Sequence, residues 1–284
     1  MKTFRTFRAT LPLLVATTVS LLLAGCSLDS FLYSPEELDN YDLPGNTIPD
    51  SLLEQVTFAS GDNTLYGYWV ASSGERPGLT LLYCHGNYHH IDYYWDRVMM
   101  LHDLGVNVFV FDYRGYGKSS GSSSSEEGLI EDGKQALNYV LSRAEVNPDS
   151  LVIYGFSLGN VVSIALTAET IDPLTLIAEA PFASSTSLQQ GSTLLDLPGG
   201  WLTEGTFNNA ERIKHIHVPF LHLHGDADAK VRWRDNGRVV FDNAPQPKRL
   251  ILIPGAEHST IPQTMGIGVY EQTLIEWIDE IIAQ

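Results

Sequence analysis

The chain has 284 residues, 44% of them hydrophobic and 18% charged, with 34 Asp and Glu against 17 Lys and Arg and a formal net charge of −17. That length suffices for one well-cored domain of mixed architecture. The acidic balance disfavours nucleic acid and other anionic phosphate surfaces as partners and implies a self-repelling exterior.

The chain opens with Lys2, Arg5 and Arg8 ahead of an apolar run, residues 11–25, that ends at Cys26. A positive stretch, a short apolar stretch and small residues make a secretory signal. The run falls short of the ~20 residues that a membrane span needs. "LAGC" at 23–26 resembles the bacterial lipobox, which implies removal of residues 1–25 and lipid on Cys26. A plain signal peptide with a chance cysteine is the competing reading. Ser27 follows the cysteine and, by resemblance to enteric-type lipoproteins, implies the outer membrane over retention at the inner one. Each buried acyl CH₂ contributes ~0.8 kcal/mol to such an anchor. Removal takes three basic residues and no acidic one, so the mature net charge is about −20. With Cys26 lipidated, Cys84 is single and no intrachain disulfide forms. Cys84 ends the apolar stretch "LTLLYC" and is expected to be a packing residue.

Residues 26–52 hold turn formers and acids without periodicity and are expected to be a tether, so the domain is set at 53–284. "LEQVTF" and "TLYGYWV", separated by "ASGDN", predict a hairpin. Apolar β-rich runs follow at 79–84, 106–112, 150–156, 174–179, 219–225 and 249–254. Helical stretches lie near 91–104, 126–145, 157–170, 232–243 and 268–282. Continuous apolar strands alternating with helices predict an α/β domain: a mostly parallel sheet of about eight strands, covered on both faces. The serine-rich run 119–127 ends in acids and predicts a loop with a helix N-cap. Residues 182–217 interrupt the alternation with scattered apolar positions, long for a connection. A cap over a pocket is expected there, in preference to plain surface helices.

"GFSLG" at 155–159 places Ser157 between a strand and a helix. Ligands bind at the carboxyl ends of strands in such sheets. A tight strand-to-helix turn strains the serine backbone, and side chains two residues away would collide, so glycines at 155 and 159 fit. The helix N-terminus offers backbone N–H groups to a developing oxyanion. A serine hydroxyl needs a base, and His258 follows the last apolar strand in "LIPGAEHST". An acid must orient that imidazole, and Asp228 follows the preceding strand in "HLHGDADAKV". The order Ser157, Asp228, His258 repeats the Ser…acid…His order of this chemistry.

Residues 53–284 resemble α/β-hydrolase-fold serine hydrolases of the serine aminopeptidase-like and lysophospholipase-like group. The resemblance rests on "HGN" (85–87), "DYRGYGKSSG" (112–121), "GFSLG", "EAPF" (179–182), "HGDAD" (224–228) and "GAEH" (255–258). It implies the α/β-hydrolase fold, the triad Ser157–Asp228–His258, and an oxyanion hole formed by the backbone N–H groups of Asn87 and Leu158. It also implies an acyl-enzyme route to small-molecule or lipid esters, with thioesters and amides as related acyl donors; no cofactor is expected. Asn160 stands where many relatives have a second glycine, which puts the close packing of helix on sheet in question. A non-catalytic lipoprotein using the fold as a binding or assembly module is the alternative.

Several residues compete for roles. Asp226 also follows its strand; the spacing of the resemblance selects Asp228. Glu179 ends another strand and is a weaker candidate acid. Asp112 and Arg114 are expected to pair. His222 and His224 alternate on one strand, with His215, His217, His89 and His90 elsewhere, but no H-E-x-x-H pattern or cysteine pair supports zinc. His85 is expected to be structural.

Overall fold

The computed structural model describes residues 33–74, 76–122, 125–191 and 206–284. The expected signal and Cys26 lie outside the described residues, as do 192–205 of the expected cap.

Among the described residues ten strands form two sheets: β1 (Ser34–Pro35), β2 (Leu53–Ser60), β3 (Asn63–Val70), β4 (Thr80–Cys84), β5 (Tyr88–His89), β6 (Asn107–Phe111), β7 (Leu151–Phe156), β8 (Thr175–Glu179), β9 (Phe220–Gly225) and β10 (Lys248–Ile253). Eight of them make the main sheet, in the order β10-β9-β8-β7-β4-β6-β3-β2. The β2–β3 hairpin and the β3–β6 pair are antiparallel; every other pairing in this sheet is parallel. Strands β4, β6, β7, β8 and β9 are buried along their whole length, which is why they read as unbroken apolar runs. The expected sheet of about eight strands, mostly parallel with a leading hairpin, is the one observed.

The helices are α1 (Trp95–His102), α2 (Glu126–Ser142), α3 (Gly159–Glu169), α4 (Ser185–Gly191), α5 (Asn209–Arg212), α6 (Gly237–Asn243), α7 (Ile261–Met265) and α8 (Ile267–Ile282). One face of the sheet buries Leu137, Val140, Val161 and Leu166 of α2 and α3. The other buries Trp95, Val98, Leu274 and Trp277 of α1 and α8. Each such side chain contributes ~1.5–3 kcal/mol when fully buried. Ser125 caps α2 by accepting the Gly128 N–H at 3.0 Å, as the acids after the serine run suggested. The stretch expected to be helical from 232 begins its helix only at Gly237, because 232–236 forms turns.

The described part of the expected tether is packed on the domain. β1 pairs in parallel with β5, Glu37 bridges to Gly117, and Tyr33 is buried. The Tyr41 hydroxyl donates to Asp112 Oδ2 at 2.6 Å, and Asp92 accepts the backbone N–H groups of Asp42 and Leu43. Hydrogen bonds to distant loops hold this stretch, so no periodicity is needed to order it.

Candidate active site

Strand β7 delivers Ser157 to the carboxyl edge of the sheet, and its φ of 51° lies in the left-handed region. A non-glycine residue there carries backbone strain. A Cβ at 155 would collide with Ser163 Oγ and Asn160 Oδ1, and one at 159 with the Cys84 carbonyl. Both glycines therefore let α3 close onto β4 and β7 behind the serine. Asn160 does not loosen this packing. It is fully buried, and its Nδ2 donates to the Glu179 carbonyl at 2.8 Å and the Ser157 carbonyl at 3.2 Å. A side-chain amide thus ties the turn to β8.

Ser157, His258 and Asp228 come from three separate loops and meet. His258 Nε2 lies 2.8 Å from Ser157 Oγ, and His258 Nδ1 lies 2.7 Å from Asp228 Oδ2. Oδ1 of Asp228 accepts the backbone N–H groups of Lys230 and Val231 at 2.9 and 2.8 Å. Burial alone would raise the Asp228 carboxyl, but His258 and the Val231 N–H outweigh it and hold it below the usual carboxylate range. The Phe156 ring packs against the imidazole with centroids 5.3 Å apart. Such a line of hydroxyl, imidazole and carboxylate allows a proton to pass from oxygen to nitrogen beside a fixed negative charge.

Two cavities share Ser157 and Asn87. One, of about 80 Å³, is lined by Leu158, Phe182, Leu188, Phe207 and Val231. The other, of about 290 Å³, is lined by His258, Tyr88, Tyr93, Arg97, Lys230 and Gln263 among others. Leu158 opens α3 beside the serine. Asn87 follows β4, and its Oδ1 accepts the Ser34 N–H at 3.2 Å and the Tyr116 hydroxyl at 2.9 Å. The described end of the expected tether thus touches the loop expected to supply an oxyanion donor.

The remaining candidates have other partners. Asp226 is exposed and accepts the Gly255 N–H at 2.7 Å. Arg114 pairs with Asp132 at 2.7 Å and not with Asp112, because Asp112 takes Tyr41 and the Ile91 N–H. His85 is buried, with Nδ1 2.7 Å from the Gly86 carbonyl and Nε2 3.1 Å from Asp112 Oδ1 without hydrogen-bond alignment. His222 Nε2 faces His224 Nδ1 at 3.2 Å, and His224 Nε2 donates to the Val231 carbonyl at 2.8 Å. Burial pushes both imidazoles down, toward the neutral form. Among the described residues no group of three or more His, Cys, Asp or Glu has an arrangement that could hold a metal ion. Cys84 is free and buried, and burial pushes its thiol up.

Glu179 is fully buried in an ionic cluster. Oε2 accepts from Arg97 Nη1 at 2.5 Å, from the Tyr270 hydroxyl at 3.0 Å and from the Tyr154 hydroxyl. Burial and this carboxylate push both phenols well above their ordinary range, so they remain donors. Removing one partner of a buried pair strands the other charge. Glu179→Gln should therefore lower unfolding stability by about 3–5 kcal/mol in urea titration. A loss below about 1 kcal/mol would mean that the Arg97 charge is compensated elsewhere.

Residues 75–204 match the family model described as serine aminopeptidase, S33. The chain is 32% identical over 233 residues to the protein YfhR of Escherichia coli (strain K12), covering 79% of this chain and 80% of that protein. It is 29% identical over 261 residues to the lysophosphatidylserine lipase ABHD12 of Danio rerio, covering 84% of this chain and 64% of that one. Among solved structures it superposes on the Pyrococcus furiosus esterase Pf2001 with a TM-score of 0.68 at 20% identity, covering 87% of this chain and 98% of the other. Sheet order, strand-to-helix turn and these similarities agree: the chain belongs to the α/β-hydrolase family.

Proposed function

We propose that the chain is a membrane-tethered serine hydrolase that cleaves carboxylic esters through an acyl-enzyme. The observation that carries this reading is the hydrogen-bonded line Asp228–His258–Ser157, at 2.7 and 2.8 Å, on a strained turn between two cavities. A similar protein named as a lipase supports an ester bond in a small molecule or lipid as the target.

His258 Nε2 takes the proton of the Ser157 hydroxyl as Oγ attacks the carbonyl carbon. The carbonyl oxygen gains the charge and is met by the backbone N–H groups of Asn87 and Leu158, each such donor being worth ~10²–10³ in rate. His258 then gives its proton to the departing alcohol, leaving an acyl group on Ser157. Water, activated by the same imidazole, reverses the sequence and frees the acid. Asp228 holds the imidazole in the tautomer that leaves Nε2 open. Lipid on Cys26 would keep this chemistry at the cell envelope, at the outer membrane by the reading of Ser27.

A fluorophosphonate probe tests both halves. In cells making the full chain, the labelled band should sediment with outer membranes, and Cys26→Ala should release labelled protein from them. Absence of label would refute the serine mechanism. Undiminished membrane partition and lipid label in Cys26→Ala would refute the anchor.

A further inference from the structure

The two cavities at Ser157 differ in chemistry, and the mechanism proposed above assigns a half of the substrate to each. His258 lines only the larger one, and Leu158 lines only the smaller. The departing alcohol must lie beside His258, which protonates it, so the alcohol half belongs in the larger cavity. The acyl half then lies against Leu158, Phe182, Leu188 and Phe207.

The wall of the larger cavity carries two cationic side chains, Arg97 and Lys230. Arg97 is only 5% exposed, and of its guanidinium nitrogens only Nη1 has a partner among the described residues, Glu179. Its Nε and Nη2 groups form no hydrogen bond among the described residues. The guanidinium lies over the Phe156 ring, 4.6 Å from its centroid, and both residues line this cavity. Glu179 balances the Arg97 charge, so Arg97 offers directed donors, and the planar fork matches a carboxylate or phosphate. Lys230 adds a second cation, set against the Asp96 carboxylate: it is exposed and stacked 4.9 Å over the Tyr88 ring, and forms no ion pair among the described residues. Asp96 also lines the cavity, with its Oδ1 engaged by the Arg97 backbone N–H at 2.8 Å. In a chain of net charge −17, donors gathered here act against the overall field.

We propose that this cavity binds an anionic group, a carboxylate or phosphate monoester, on the alcohol half of the ester, with Arg97 and Lys230 as its binding residues. The assignment of halves rests on the serine-hydrolase reading; the anion site itself does not. Three butyryl esters that differ only in the alcohol test it: ethylene glycol, glycolate and ethylene glycol phosphate. At low salt, kcat/KM should favour at least one anionic ester over the neutral one by about tenfold, and the ratio should shrink as ionic strength rises. Lys230→Met should bring that ratio close to one. Arg97→Lys, which keeps a cation beside Glu179, should lower it while the protein still folds. Which anionic ester is preferred separates carboxylate from phosphate. Calorimetry with glycolate and with inorganic phosphate should show binding to the wild type that is lost in Lys230→Met. Turnover of the neutral ester with no anionic preference and no anion binding would overturn the proposal and leave the esterase standing. Anion binding without turnover of any ester would uphold the site and overturn the esterase.

Discussion

Ser157→Ala should lower kcat on an activated ester by about 10⁴–10⁶-fold and abolish fluorophosphonate labelling, with little change in melting temperature. The hydroxyl makes one side-chain hydrogen bond, to His258 Nε2, and removing it leaves no buried charge unpaired. The backbone at φ 51° stays strained with alanine as with serine, because both carry a Cβ. The turn is held by groups that the substitution does not touch: the Ser157 N–H donates to the Glu179 carbonyl at 3.0 Å, and Asn160 binds both carbonyls. Folding and chemistry therefore separate at this position. A residual rate above that of water is expected, since oxyanion donors and binding remain. A purified variant with near wild-type kcat would sink the serine mechanism.

What the sequence made legible follows from how each feature is encoded. Strands such as 151–156 and 220–225 are buried on both faces, so burial writes itself as an unbroken apolar run. The glycines beside Ser157 mark sites where a Cβ collides, a local constraint that a short motif can carry. Arg97 has no such mark. It is one charged position on an amphipathic helix, and only the fold brings it to Glu179, 82 residues away. Residues 33–52 read as a tether in sequence because what holds them, a two-residue strand pairing, a bridge and hydrogen bonds, reaches partners about 50 or more residues distant. Such contacts leave no period in the sequence. The expected Arg114–Asp112 pair fails for the same reason: the partner of Arg114, Asp132, sits in α2 and not in its own loop.

The choice between Asp228 and Asp226, open to spacing arguments alone, becomes sharp when their hydrogen bonds are compared. Asp228 Oδ1 accepts two backbone N–H groups, and Oδ2 faces His258 Nδ1. In Asp228→Asn the amide oxygen must keep the Oδ1 place, because only an acceptor satisfies those two donors. The NH₂ then occupies the Oδ2 place and donates to His258 Nδ1. That moves the imidazole proton to Nε2, the atom that must accept from serine. Turnover should fall by about 10⁴-fold although every neighbour keeps a partner. The stability cost should be modest and pH-dependent. The folded carboxyl is held below its ordinary range, so its ionised form stabilises the fold at and above that range and ceases to as pH falls through the lowered value. The stability gap between wild type and Asp228→Asn should accordingly narrow on acidification. Asp226 is exposed, and among the described residues its Oδ1 accepts the Gly255 N–H alone, a bond that an amide oxygen can keep. Asp226→Asn should retain most activity. Measuring kcat on one activated ester beside urea unfolding at two pH values distinguishes the pair. An inactive Asp226→Asn with an active Asp228→Asn would reassign the acid, and equal activity in both would remove a carboxylate from the mechanism altogether.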